Sequence, residues 1–306
     1  MLDIPEGAEQ LGSRETTGSL STRLSLAKLL RKTFKDERLR SLVDQRFRLG
    51  GSDPKDIPAF AAVDSYVERS FGVWDVVGGM ASLTTALVTR LEERSVDLRL
   101  ECEIAALTVT DSTVVGVETV AGKAISADVV ITDIDPRAVF RDLLPASPAL
   151  PGRQIFESAT PAIPVGVTHL GLKGEVPALP AEVVLHGEPL LVLSTTGLAP
   201  VGHHAWTVLR RGSAQEDVLL TMARRRIDVR DRVVTRIDRS PIELLHETAG
   251  SSYGLAWAGW RAHTQRAAQS HPLPGLYLIG ASMHPGPSIP YVAWGAAHVA
   301  ARIGKA

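Results

Sequence analysis

The chain carries one cysteine, Cys102. It therefore forms no internal disulfide and offers no thiolate metal cluster, and a cytoplasmic setting is the expectation. Net charge is also nearly absent. Its 33 basic and 34 acidic side chains leave −1, so no global attraction draws it to nucleic acid or to an anionic membrane. No run of about 18 apolar residues occurs, so no spanning helix is expected and any membrane contact is peripheral. The opening residues are acidic and polar, without the basic stretch and apolar core of a secretory signal. Neither His-Glu-x-x-His nor a cysteine spacing for zinc is present, so no metal is expected. A phosphate loop ending in Gly-Lys-Ser/Thr is missing as well, which removes support for a P-loop reading. Finally, no two of the 26 glycines are separated by a single residue. The Gly-x-Gly-x-x-Gly fingerprint of dinucleotide sites is thus absent from this chain.

What is present is a globular composition, 44% hydrophobic and 22% charged over 306 residues, enough for one large domain or two interlocked ones. Residues 1–20 read as a polar leader. From Ser21 the apolar spacing turns helical: Leu24, Leu26, Leu29, Leu30 and Phe34 suit one helix, and Leu39, Leu42, Val43 and Phe47 suit a second. A turn at Gly50–Pro54 ends this pair, and a third helix is expected over Ile57–Arg69. Residues 71–80 read as a short strand entering a glycine-rich helix start. Met80, Leu83, Leu87, Val88 and Leu91 form that helix's expected buried stripe.

Alternation then replaces helical spacing. Leu98 to Leu100, Ile104 to Val109 and Val114 to Val120 suggest an antiparallel meander, followed by a more buried strand over Asp128–Asp133. A helix is expected at Pro136–Leu144, then a link with Pro145, Pro148 and Pro151. Apolar runs at Val165–Leu172, Leu190–Ser194 and Ala205–Leu209 predict strands, with a helix near Asp217–Arg226. Ser240-Pro241-Ile242-Glu243 has the makings of a capped helix start. Arg224, Arg225, Arg226, Arg230, Arg232, Arg236 and Arg239 are read as a solvated helix and strand face. The single histidines are read as surface or core hydrogen-bonding groups. Trp257, Trp260, Trp294, Tyr253 and Tyr291 suit an ordinary aromatic core, with a polyene tunnel as the alternative.

The end of the chain is the most informative piece. GLYLIGASMHPGPSIPYVAWGAAHVAARI is a short apolar strand, a Gly/Pro-rich turn and a helix. Such a turn lets backbone approach a ligand, and the N–H groups at the helix start face that ligand with positive partial charge.

Gly280, Ala281, His284, Pro285, Gly286, Ile289 and Pro290 fall on a pattern that resembles the carboxyl-terminal signature of phytoene and carotenoid desaturases. Three further stretches resemble the same family in the same order. These are GSDPKDIPAFAAVDSYVERSFGVWDVVGGMASLTTAL, VDLRLECEIAAL and ADVVITDIDPRAVFRDLLP. Together they cover most of the chain from about residue 21.

The resemblance implies an α/β, FAD/NAD(P)-binding Rossmann-like (flavin amine-oxidase-like) fold, incomplete at the N-terminus, with a mixed α+β substrate domain. By it, residues 21–73 are a helical part of the substrate domain and 74–145 an FAD-domain segment carrying the meander. Residues 146–271 are the rest of the substrate domain, and 272–306 the final FAD-domain segment. It implies FAD as cofactor, with Glu103 and Ile104 near the adenine and Thr132 and Asp133 lining the adenosine side. Gly280, Ala281 and Ser282 would approach the ribityl and pyrophosphate, and Ile289, Pro290, Tyr291 and Val292 would face the isoalloxazine. His284 stays open between turn structure and a flavin-side role. Asp133 stands where the family often has asparagine.

The activity so implied removes hydrogen from C–C bonds of a long hydrophobic polyene, with membrane association to reach it; no catalytic base is assigned. The family carries its Gly-x-Gly-x-x-Gly unit ahead of everything matched here. Its absence leads to the expectation that the chain needs an N-terminal partner polypeptide or an oligomer to complete the site. The alternative is a non-enzymatic protein that binds a hydrophobic ligand or a partner.

Overall fold

A computed structural model describes residues 24–145, 160–212, 216–248, 250–256 and 273–304. The polar leader, Pro148, Pro151, Trp257 and Trp260 lie outside the described residues.

The amino-terminal helices are α1 (Leu26–Thr33) and α2 (Glu37–Leu49). Each is begun by a side-chain cap, with Ser25 accepting from Lys28 N and Asp36 from Arg38 N, which satisfies donors that the first turn leaves orphaned. Leu26, Leu30 and Phe47 are buried together with Ile57 and Ala61. Leu39 and Leu42, expected on the buried face, are exposed instead. The expected third helix is divided: a 3-10 turn over Ala59–Ala62 leads into α3 (Val63–Phe71).

Residues 72–79 form no strand. Gly72, Gly78 and Gly79 all take positive φ, and the Asp75 carboxylate turns back to accept from Val76 N. Both features draw the backbone out of a ladder. The helix that follows, α4 (Met80–Glu93), forms as expected, but none of its residues is buried. Met80 and Leu87 are more than half exposed, so the stripe of Met80, Leu83, Leu87, Val88 and Leu91 has the right spacing and no covering layer among the described residues. Leu98 and Leu100 likewise lie outside any strand, between Ser95 and Glu101, both of which take positive φ.

The meander is β1 (Ile104–Thr110), β2 (Thr113–Thr119) and β3 (Ala124–Ser126), antiparallel in that order. Beside it β4 (Val130–Thr132) pairs in parallel with β10 (Leu276–Leu278), Val130 opposite Leu276 and Thr132 opposite Leu278. Val114 N donates to Pro274 O at 2.9 Å, fastening the meander to the parallel pair. Leu107, Val114, Val139, Phe140, Leu276, Leu278 and Met283 fill the core between them. The expected helix at Pro136–Leu144 is α-helical only over Pro136–Ala138, then widens to a π turn over Val139–Leu143.

The second half of the chain builds a five-stranded antiparallel sheet of order β6-β7-β8-β5-β9. Its strands are β5 (Gly166–Lys173), β6 (Glu182–Leu185), β7 (Leu190–Gly197), β8 (His203–Arg211) and β9 (Val233–Arg239). Leu190, Leu191, Val192 and Leu193 are all buried because both faces are covered. On one face, α5 (Val218–Arg224) brings Val218, Leu219 and Met222 onto Leu170, Leu172, Trp206 and Val208. On the other, Leu49, at the end of α2, packs with Val165, Leu190 and Val192. Strands β6 and β9 lie outside the expected apolar runs. The arginines of β9 are balanced by carboxylates, Arg236 by Asp217 and Asp238, and Arg239 by Glu247. α6 (Pro241–Glu247) begins with the full capping box of Ser240 and Glu243, and α7 (Ile289–Ile303) closes the described chain.

Candidate functional site

The site is built where β4 and β10 end together. Ile279 N donates to Thr132 O at 2.9 Å, extending the parallel ladder by one residue. Immediately after it, Gly280 takes φ +97°, and a Cβ there would lie 3.0 Å from Asp133 O. Glycine is required at this position on both counts. The carboxyl ends of neighbouring parallel strands are where open α/β sheets present ligand crevices.

Asp135 holds the two strand ends in register. Its side chain is only 5% exposed and lies 2.6 Å from Arg137 Nη2. The same carboxylate accepts from Arg137 N at 2.9 Å and Arg137 Nε at 2.8 Å, and from the buried Ser282 hydroxyl at 3.3 Å. A buried charge is tolerated because it is both paired and hydrogen-bonded. Met283, itself buried, donates from its N to Gly280 O at 3.1 Å and closes the turn.

From this turn the chain enters α7. Ser288 caps it by accepting from Tyr291 N at 3.2 Å, and Pro290 sits in the first turn, where a missing N–H costs no intrahelical bond. That turn carries no acidic side chain, so the positive end of the helix is not neutralised from within. Ile289 and Pro290 are exposed, whereas Tyr291 and Val292 are half-buried. Tyr291 Oη reaches Asp64 Oδ1 of α3 at 3.5 Å, linking α7 to the helical part.

Thr132, Asp133, Gly280, Ala281 and Ser282 are thus gathered at one strand end, and Ile289 to Val292 follow on the same strand–turn–helix unit. His284 is exposed within the turn. Glu103 and Ile104 stand apart at the start of β1. Glu103 O accepts from Val120 N at 2.9 Å, and their tie to the strand end runs through β2 and the Val114–Pro274 bond. Asp135, Arg137, and Gly250 and Gly254, whose lack of a Cβ lets their backbone approach Asp135 and Ala281, were missed in the sequence. For Asp135 a signal existed: Asp followed by Pro is the start of a capped helix. For the two glycines no sequence signal pointed to Asp135 or Ala281, which only the fold brings near.

The residues present suit a flavin. A backbone-lined strand end, an unneutralised helix start and exposed apolar Ile289 and Pro290 offer dipoles and a flat apolar contact to an electron-rich ring edge. Among the described residues, no group of three or more His, Cys, Asp or Glu could hold a metal ion. No described helix is long and apolar enough to cross a membrane.

Comparison with known proteins bears on this geometry. The sequence profile of the flavin containing amine oxidoreductases matches residues 10–210. The chain is 26% identical over 309 residues to hydroxyneurosporene desaturase of Rubrivivax gelatinosus, covering 88% of this chain and 59% of that protein. It is 25% identical over 308 residues to 4,4'-diapolycopene oxygenase of a Methylomonas species, covering 86% and 61%. The chain therefore spans about three fifths of the length of these relatives. In fold it is similar to putrescine oxidase bound to putrescine, with a TM-score of 0.69 at 16% identity over 97% of this chain and 72% of that one.

Proposed function

The chain belongs to the flavin containing amine oxidoreductase family, whose cofactor is a flavin, and from that premise we propose an FAD-dependent oxidoreductase that removes hydrogen from C–C bonds of a long hydrophobic polyene. The observation that carries this reading is the meeting of Asp133 with Gly280 at the paired ends of β4 and β10, directly ahead of the α7 start. The polyene class is supported by the named relatives, a desaturase of hydroxyneurosporene and an oxygenase of diapolycopene.

In this reading the Gly280–Ser282 backbone holds the ribityl and pyrophosphate, and Thr132 and Asp133 line the adenosine side. Ile289, Pro290, Tyr291 and Val292 border the isoalloxazine. A bound flavin supplies the two-electron acceptor for hydrogen leaving carbon. The protein's share is placement and dryness. Asp135 and Ser282 keep the turn in place, and the start of α7 favours the negative charge that accumulates on reduction.

The proposal includes a strand–glycine turn–helix unit, carried on a longer chain or a second polypeptide, that covers α4 and completes the pyrophosphate cradle. The exposed stripe of Met80, Leu87 and Leu91 supports it, since an apolar face of this kind ordinarily lies against another layer. Peripheral contact with a membrane follows from a substrate that is dissolved in lipid.

The test is anaerobic addition of a dispersed carotenoid precursor to the FAD-loaded protein. Loss of the oxidised flavin absorption, together with a red shift of the polyene spectrum, is expected. An unchanged flavin band with carotenoid precursors of several lengths would contradict the substrate class.

A further inference from the structure

One short run of backbone, residues 250–255, lies between the five-stranded sheet and the cofactor-side turn. Its sheet side is anchored by Tyr253, whose ring packs against Leu49, Val165, Leu190 and Val192. The run is also paired with the strand that leads into β5. Ala162 N donates to Gly254 O at 2.9 Å, and Ala256 N to Thr160 O at 3.0 Å. Arg211, the last residue of β8, donates to the carbonyls of both Leu49 and Ile163, clamping that corner.

The other side of the run rests on the candidate site. Gly254 takes φ +65°, and a Cβ there would run into Ala281 O and lie 3.0 Å from Ser282 N. Gly250 meets the other strand end, where an added Cβ would sit 2.6 Å from Asp135 Cβ. Ser282 and Asp135 are themselves hydrogen-bonded. Three backbones thus converge with no room for a methyl group, one following β4, one following β10 and one following α6.

We infer that Gly254 is a positioning residue that seats the Gly280–Met283 turn on the five-stranded sheet, so that sheet packing at Tyr253 sets where the cofactor turn stands. The flavin part of this inference rests on the proposed function, whereas the mechanical part does not. A close-packed seam transmits displacement because it has no slack to absorb it. A methyl at Gly254 has to move either Ala281 or the paired strand at Ala162.

The test compares Gly254→Ala with Gly202→Ala by amide hydrogen exchange read by mass spectrometry. Gly202 has the same class of φ, +75°, but nothing within 4 Å of an added Cβ, so it carries the backbone strain without the collision. In Gly254→Ala, exchange in residues 280–284 is expected to rise by about fivefold or more, the scale of losing one hydrogen bond, with Gly202→Ala staying within about twofold of wild type. Flavin dissociation from the loaded protein should quicken in Gly254→Ala alone.

Equal exchange at 280–284 in the two folded variants would overturn the inference. Should Gly254→Ala fail to fold, Ser282→Ala, which removes only the bond to Asp135, carries the test. Faster exchange at both 250–254 and 280–284 supports the seam, and no change at either overturns it. A wild-type protein that retains no flavin even with the strand–glycine turn–helix unit present contradicts the proposed function, but the exchange comparison still decides the seam.

Discussion

Gly280 stands against Asp133, 3.0 Å from its carbonyl oxygen to the position a Cβ would take, across two strands separated by about half the chain. The contact brings the closing strand–turn–helix unit to the end of β4, and it depends on a residue without a side chain.

Replacing that residue is therefore expected to harm both fold and cofactor retention. Gly280→Val combines an unfavourable φ of +97° with a backbone collision. A loss of about 1–3 kcal/mol is expected, the range for strained backbone at a fixed site. Chemical denaturation measures it, and the loss should exceed that of Gly122→Val, where φ is +76° but the surroundings are open.

Core and surface leucines should separate sharply. Leu193 is fully buried in the five-stranded sheet, whereas Leu87 on α4 is 59% exposed. Leu193→Ala is expected to cost about 2–5 kcal/mol from lost burial and the remaining cavity. Leu87→Ala should cost well under 1 kcal/mol in the chain alone. If a further unit covers α4, Leu87→Glu should weaken its association while leaving the midpoint of urea unfolding of the chain alone unchanged.

The capping box at α6 provides a local test. Ser240→Ala removes the acceptor for Glu243 N at 3.2 Å, with an expected cost of about 1 kcal/mol and no change in flavin binding. A matching loss in Glu243→Ala, less than additive in the double variant, would confirm that the two ends of the box act together.

Asp44 is expected to give a pH dependence of unusual sign. Burial pushes its carboxyl above the ordinary value, against Arg48 and Arg40, which pull it down, and its Oδ1 has no hydrogen-bond partner. Because the folded value lies above the unfolded one, the charged form destabilises the fold at neutral pH, and this is relieved as pH falls through the folded value. Asp44→Asn should therefore raise the melting temperature at neutral pH and leave it nearly unchanged in mild acid. Asp228 works the other way. The Arg230 side chain, followed by its backbone N–H, holds Asp228 down to about 2, so its contribution is present above the unfolded value of 3.8 and is lost as pH drops from there toward 2.

Much of this architecture is legible in the sequence where a local rule decides it. The capping box at Ser240, the strands from Val165, Leu190 and Ala205, and the strand–turn–helix at Leu276–Ile303 follow from spacing and cap chemistry. The spacing of α4 also gave the helix, but not its exposure, because a pattern states which face is apolar and not whether anything lies against it. Residues 72–79 were misread as a strand because their valines outweighed three glycines and a self-capping aspartate. Strands β6 and β9 escaped notice because they are edge strands, short or arginine-rich, whose partners supply the pairing. At the site, Gly280 is recognisable from its turn. Gly254 is not, since its reason for being glycine lies in Ala281, which only the fold brings near.

The central claim is that the Gly280 turn holds a flavin. The direct measurement is the visible spectrum of the protein after equilibration with excess FAD and removal of unbound cofactor, for wild type and Gly280→Val, each alone and with the strand–glycine turn–helix unit added in trans. A retained flavin band in wild type that falls in Gly280→Val is the expected result. Equal retention by both proteins, or no retention by either even with that unit present, would contradict it.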